Sequence, residues 1–239
     1  MKVVLSIGGS VLAPDLDPDR VRKYADVVDD IVDAGCSLGV VVGGGGVARE
    51  YIQAARALGA NEIQLDQLGI DVTRLNARLL IAALGDTAAV APATDYETAV
   101  AAFRRGEVVV SGGAIPGQTT DAVAAALAES VDADLLVFAT SVDGVYSADP
   151  NANDEVDHYP QLTAGELVEV ISGIEMSAGS SAPVDLLGAK LIERSRMRTI
   201  VLDGSDPARV ADAVLDGDHT GTDILPDPDA APPPLWNQA

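Results

Sequence analysis

The sequence predicts an α/β fold, a three-layer αβα sandwich around a mainly parallel central sheet. Three observations predict it. Short apolar, β-branched runs recur along the chain, stretches with helical apolar spacing separate them, and glycine or small polar residues follow each run. An unbroken apolar run suits a strand covered on both faces, and strands alternating with helices build βαβ crossovers.

The elements follow in order. Val3–Ile7 predicts a first strand, ending at Gly8-Gly9-Ser10. Pro18–Val32 predicts a helix: Val21, Tyr24, Ala25, Val28 and Ile31-Val32 share one face, and Asp19 sits where an N-cap or first-turn acid is useful. Leu38–Val42 is the second strand and runs into Gly43–Gly46; helices over Val47–Leu58 and Glu62–Leu84 come next. The strand Glu107–Val110 precedes Ser111-Gly112-Gly113 and a helix over Thr120–Ser130. Leu135–Phe138 leads into Ala139-Thr140-Ser141, with helices over Ala164–Ile171 and Leu186–Ser195 beyond. The strand Thr199–Leu202 and a helix over Asp206–Leu215 complete the set. No internal repeat appears. Residues 1–226 read as one domain, and 227–239, rich in Pro, Asp and Ala, as a disordered tail that packs no core.

Composition narrows the function. The 239 residues carry 37 Asp+Glu against 15 Lys+Arg, a net charge of −22; 27 of the acids are Asp and only three of the bases are Lys. A chain this acidic offers no broad basic face for nucleic acid and no patch for an anionic membrane. At 48% hydrophobic residues it is too apolar for a disordered acidic tail. Excess Asp with almost no Lys reads as adaptation to high salt, where a Debye length of ~3 Å near 1 M suppresses like-charge repulsion. One cysteine, Cys36, permits neither an internal disulfide nor a multi-cysteine zinc site. The opening Met1–Leu5 lacks a signal-peptide layout, and the apolar runs fall far short of the ~20 residues that span a bilayer. The expectation is a soluble, cytoplasmic protein.

The glycine loops carry the chemistry. In an open parallel sheet, ligands bind beyond the carboxyl ends of the strands. Glycine there lets backbone N–H groups approach an anion, and a following helix adds its positive end. Gly43–Gly46, ahead of Arg49, is the strongest such loop. Gly112-Gly113 followed by Pro116-Gly117-Gln118-Thr119-Thr120-Asp121 adds another, and together these loops offer room for more than one phosphate. Residues Thr140–Pro150 mix an aromatic with hydroxyls and acids: Tyr146 can pack on a purine and Asp149 can accept from a base or ribose. There is no GxxxxGK[ST], no placed GxGxxG and no G-x-S-x-G, and His158 and His219 are too few for a histidine metal cluster.

In this order, Ser6-Ile7-Gly8-Gly9-Ser10, Val42–Gly45, Ser111–Gly113 and Thr140–Pro150 resemble the amino acid kinase family, and within it the archaeal-type UMP kinases. The more specific likenesses are Gly44–Arg49, Asp66 ahead of Gly69–Ala77, Pro116–Ala122 and Ala178–Ser181. The resemblance spans residues 1 to about 226 and implies transfer of the γ-phosphoryl of ATP to UMP, with Mg²⁺, in pyrimidine nucleotide synthesis. It implies that Gly9, Ser10, Gly45, Arg49, Thr140, Ser141, Tyr146 and Asp149 hold ATP. Gly44, Asp66, Ala114, Ile115, Pro116, Gly117, Gln118, Thr119 and Thr120 would hold UMP, with Asp66 on the ribose. A homohexamer built from dimers is expected, and no metal ligand from the protein. Two family lysines are missing: Ser6 stands at one position, and the other lies near Ala182. Transition-state charge then falls first on Arg49, with Arg74 and Lys190 as lesser candidates. The alternatives are another kinase of this fold, such as an isopentenyl phosphate kinase, or a non-catalytic nucleotide-binding module.

Overall fold

Side chains of β1 (Lys2–Ile7) alternate between two buried faces. Val3, Leu5 and Ile7 join a core with Tyr24, Val28 and Ile31, while Val4 joins a second core with Phe103 and Leu127. The sheet is therefore covered on both sides, which is why its strands read as continuous apolar runs. The computed structural model describes residues 1–150, 155–175 and 183–236. Among these, the chain runs β1, α1 (Gly9–Leu12), α2 (Pro18–Asp33), β2 (Ser37–Val42), α3 (Gly45–Ala57), α4 (Glu62–Leu84), α5 (Tyr96–Arg104), β3 (Val109–Ser111) and α6 (Thr120–Val131). It continues with β4 (Leu135–Thr140), β5 (Val145–Tyr146), β6 (His158–Tyr159), β7 (Gln161–Thr163), α7 (Ala164–Glu175), α8 (Leu186–Ser195), β8 (Thr199–Asp203), α9 (Pro207–Leu215) and β9 (Thr222–Leu225).

Seven strands form one sheet in the order β3-β2-β1-β4-β8-β9-β7, and β5 pairs with β6 in a separate ribbon. Every pairing in the large sheet is parallel except β8 with β9. Helices α2 and α9 and the inner stripe of α4 cover one face; α5, α6, α7 and α8 cover the other. This is the three-layer αβα architecture.

Local chemistry fixes the ends. Asp17 caps α2 by accepting from Asp19 N at 2.9 Å, and Asp19 is the acid of the first turn; Pro18 fills that turn, where an N–H is dispensable. Asn61 and Gln64 form a reciprocal capping box at α4. The Thr119 hydroxyl caps α6 by accepting from Ala122 N at 3.2 Å. Helix α5 has no counterpart in the sequence reading, although Asp95 caps it at Thr98 N and Ala99, Ala102 and Phe103 bury one face.

The expected disordered tail is corrected as far as position 236. Trp236 Nε1 donates to Val214 O at 2.9 Å, and the ring lies against Gly217 under the Arg198 guanidinium, 4.9 Å from its centroid. Asp223 pairs with the same Arg198 guanidinium. An indole brings apolar area and one N–H that needs a partner, and here both find one. Among the described residues, no helix is long and apolar enough to cross a membrane.

Candidate active site at the carboxyl ends of the sheet

Strands β1, β2 and β4 run parallel and release their loops at the same edge. The first two loops interlock backbone to backbone. Gly43 N donates to Ile7 O at 2.8 Å, and a Cβ built on Gly9 would lie 2.4 Å from Gly43 O and Gly45 N. Gly45 adopts φ +64° and its Cβ would meet Gly9 C at 2.6 Å, so both positions require glycine. The third loop bends on itself through Thr140, whose Oγ1 accepts from Val142 N at 3.1 Å and donates to Val142 O at 2.8 Å.

Between them lies a cleft of about 300 Å³. Gly9, Ser10, Gly45, Arg49, Thr140, Ser141, Tyr146 and Asp149, all expected on the ATP side, line this one space. Arg49 Nη2 donates to Ser10 Oγ at 3.2 Å across the interlocked loops. Tyr146 OH donates to Asp143 Oδ1 at 2.5 Å, and that bond, helped by partial burial, pushes its phenol up to about 12. The helices α3 and α6 begin at the cleft, adding two positive helix ends to it.

The residues expected on the UMP side divide. Gly44 and Thr120 line the same cleft. Asp66, on α4, accepts from Gly117 N through Oδ2 at 2.8 Å, joining the long helix to the loop 114–119. Gln118 Oε1 accepts from Tyr96 OH at 3.0 Å, and Thr119 Oγ1 donates to Asp185 Oδ2. Arg74 Nη2 donates to Ala114 O at 3.4 Å and to Thr94 O at 3.2 Å. Ile115 is exposed, Pro116 lies between it and Gly117, and Gln118 N turns back to Ile115 O. Lys190 is paired with Glu193 at 3.1 Å on the exposed side of α8 and is not among the cleft residues. Ser6 is buried beneath the first loop. Ala178–Ser181 and Ala182 lie outside the described residues.

Sequence reasoning gave no role to four contributors. Asp121 lines the cleft in the first turn of α6; burial, then the Asp185 carboxylate, push its carboxyl up to about 7, against a hydrogen bond from the Asp185 backbone. Tyr96 holds Gln118. Thr73 and Asn76 are buried polar residues on the inner face of α4 and bond to two different glycine loops. Their signal was there: polar residues three apart, between Ile70 and Ala77–Leu80, at positions the helical stripe turns inward.

Glycine also serves two ends here. A Cβ on Gly112 would lie 2.3 Å from Thr73 Oγ1, and one on Gly113 would lie 2.9 Å from Ile70 Cγ1. These two glycines let α4 approach the loop that follows β3, a packing demand that the anion-site reading of glycine clusters did not include.

The chain matches the amino acid kinase family over residues 1–203. It is 66% identical over 227 residues to a uridylate kinase of Halobacterium salinarum, covering 95% of this chain and 94% of that protein. It is 65% identical over 226 residues to a uridylate kinase of Halorubrum lacusprofundi, with the same coverage. The crystal structure of uridylate kinase from Archaeoglobus fulgidus superposes with a TM-score of 0.85 at 45% identity, covering 94% of this chain and all of that one. With its sheet, its interlocked loops and these likenesses in accord, the chain belongs to the amino acid kinase family.

Proposed function

We propose that the protein is an ATP-dependent UMP kinase that transfers the γ-phosphoryl group of ATP to UMP, giving ADP and UDP. The observation that carries this reading is the junction of two loop systems at Gly44 and Thr120. On one side lies the glycine-lined cleft with Tyr146 and Asp149. On the other, Asp66 is fixed against Gly117. The high identity to uridylate kinases supports UMP as acceptor.

The reaction needs an oxygen of the UMP phosphate in line with the γ-phosphorus and the departing ADP oxygen. Such a transfer asks for positioning and charge stabilisation more than covalent chemistry. Backbone N–H groups of loops 8–10 and 43–46, the ends of α3 and α6, and Arg49 supply the charge. Asp66 accepts from the ribose hydroxyls, because a carboxylate makes strong charge-assisted bonds there. Residues 114–120 wrap the acceptor phosphate and uracil; Tyr146 packs on adenine and Asp149 takes the ribose.

Mg²⁺ enters with ATP. Among the described residues no three His, Cys, Asp or Glu side chains are grouped to hold a metal. Two carboxyls, Asp121 and Asp149, line the cleft. That set fits an ion held chiefly by phosphate oxygens with little help from the protein. When bound, the ion neutralises charge on the transferring group.

Self-association, to the expected homohexamer built as a trimer of dimers, is supported by an unpartnered apolar surface on α3 and α4 and the turn joining them: Tyr51, Leu58, Ile63, Leu75 and Leu79 are exposed, Leu58 by 88%. The substrates favour a cytoplasmic location, and the acidic composition favours high salt.

The test is ATP-dependent phosphorylation of UMP, CMP, acetylglutamate and isopentenyl phosphate in concentrated KCl with Mg²⁺. UMP turns over fastest. Preference for another acceptor sinks the assignment, and binding of both nucleotides without UDP formation identifies a non-catalytic module.

A further inference from the structure

We infer that Asn76 and Thr73, on one inner turn of α4, are positioning residues for phosphoryl transfer: Asn76 turns two amides of the donor loop into the cleft, and Thr73 fixes the acceptor-side loop at a set distance from them. The inference rests on the proposed roles of the two loops.

The Asn76 amide group donates to Gly43 O at 2.9 Å and to Gly44 O at 3.2 Å. A trans peptide is planar, with its C=O and N–H pointing opposite ways. Tying the Gly43 and Gly44 carbonyls back to α4 therefore aims the N–H groups of Gly44 and Gly45 away from the helix. Gly44 and Gly45 both line the cleft, and neither N–H donates a hydrogen bond to any described residue. Two adjacent amides, aimed and unspent, form the kind of preorganised donor pair that stabilises developing phosphoryl charge without reorganisation.

Thr73 works on the other loop. Its Oγ1 donates to Ile70 O at 2.6 Å and accepts from Gly113 N at 2.7 Å, which ties the acceptor-side loop to the helix. Thr73 and Asn76 are only 6% and 4% exposed. Buried polar groups are satisfied at some cost in packing freedom, and here the satisfaction is spent on loop geometry. One rigid helical turn spans the donor and acceptor loops, so their separation is set by the helix and not by the loops themselves. Misplacement by about 1 Å can cost roughly 100-fold in rate.

The experiment compares Thr73→Val, Thr73→Ser and Asn76→Ala in full-length enzyme at high KCl, reading kcat, both KM values and the thermal midpoint. Thr73→Val keeps the volume and deletes the hydroxyl. The expected result is a fall in kcat of about 10-fold or more in Thr73→Val and in Asn76→Ala, larger than the change in either KM. Thr73→Ser, which keeps the hydroxyl, recovers kcat to within about twofold of wild type. The inference is overturned if Thr73→Val keeps wild-type kcat, if Thr73→Ser is as impaired as Thr73→Val, or if only the KM for UMP changes. Wild-type enzyme that fails to phosphorylate UMP in the same assay would instead remove the function on which the inference stands.

Discussion

Replacing Asp121 by Asn is expected to change how stability depends on pH. The carboxyl sits in the first turn of α6, where a helix end favours the ionised form by about 0.3–1 kcal/mol. Burial and the Asp185 carboxylate oppose this and win, pushing it from an ordinary value near 3.8 up to about 7. Below about pH 4 the group is protonated in both folded and unfolded chains. Between about pH 4 and 7 the folded chain keeps a proton that the unfolded chain has released, so stability falls as pH rises, by about 1.4 kcal/mol per pH unit. Above about 7 both states are ionised and the slope ends. The loss across the window is at most about 4 kcal/mol, reduced by the part of Asp121 that opens on the cleft. The carboxamide of the Asp121→Asn variant carries no titrating proton, so the variant gains on wild type by about that amount from roughly pH 4.5 to 7.5. Asp95, Glu107 and Glu166, held low by hydrogen bonds, tilt the curve the other way but do so in both proteins. Urea unfolding across this range at fixed KCl measures the difference. A difference that stays constant across the window, or grows toward low pH, refutes the reasoning.

Asp66→Ala raises the KM for UMP far more than that for ATP, read in steady-state kinetics; equal effects would contradict the ribose role. Arg49→Ala lowers kcat by about 10-fold or more, as expected for a cation acting on transition-state charge, and an unchanged kcat moves that role elsewhere. Trp236→Ala removes the bond to Val214 and the contact with Arg198 and lowers stability by about 1–3 kcal/mol in chemical unfolding. Because Trp236 is the one tryptophan, its emission in the wild type reports docking of the tail directly, and emission matching the unfolded chain would contradict the packing. Activity and folding both decline as KCl is diluted to ~0.1 M, since the Debye length grows to ~10 Å and the acidic surface repels itself; full stability there would refute the high-salt reading.

Strands covered on both faces were legible because nothing interrupts their apolar runs: Val3–Ile7 and Leu38–Val42 lie within a residue of β1 and β2. What was missed has physical causes. Helix α5 is short, and its Ala-rich inner face gives little contrast. The edge-side β9 includes Thr222 and Asp223, polar residues whose places in the sheet come from Thr222 bonding across to Tyr159 O and Asp223 pairing with Arg198. The predicted Glu107–Val110 shifts to Val109–Ser111 because Val108 is used in a single bridge to Ala88. In the site, glycine clusters announce themselves by composition, while Thr73 and Asn76 show only as polar residues on an inward helical stripe, and the loops they hold appear only once the fold places them alongside. Tertiary partners far apart in sequence, 40 residues for Thr73–Gly113, cannot be read from local pattern.

The charge and the site pull in opposite directions, and distance reconciles them. A surface carrying −22 repels ATP and UMP over a range set by the Debye length. Most paired cations here sit in exposed contacts such as Arg22–Asp19 and Arg56–Glu62, which contribute little to stability and less in salt. Arg49 differs: it lines the cleft and has no carboxylate partner among the described residues. The remaining attraction comes from backbone amides and helix ends, which act at hydrogen-bond distance, inside even the ~3 Å screening length of 1 M salt. Salt that silences the acidic shell therefore weakens the binding loops' short-range hydrogen bonds far less than it weakens the long-range repulsion. An enzyme that holds phosphates through amides aimed by Asn76 can dispense with lysine at Ser6, because a fixed dipole carries no hydrated counter-ion that concentrated salt could displace. On the proposed reading of the loops, the surface avoids long cationic side chains, and the site draws its positive potential from the main chain and Arg49.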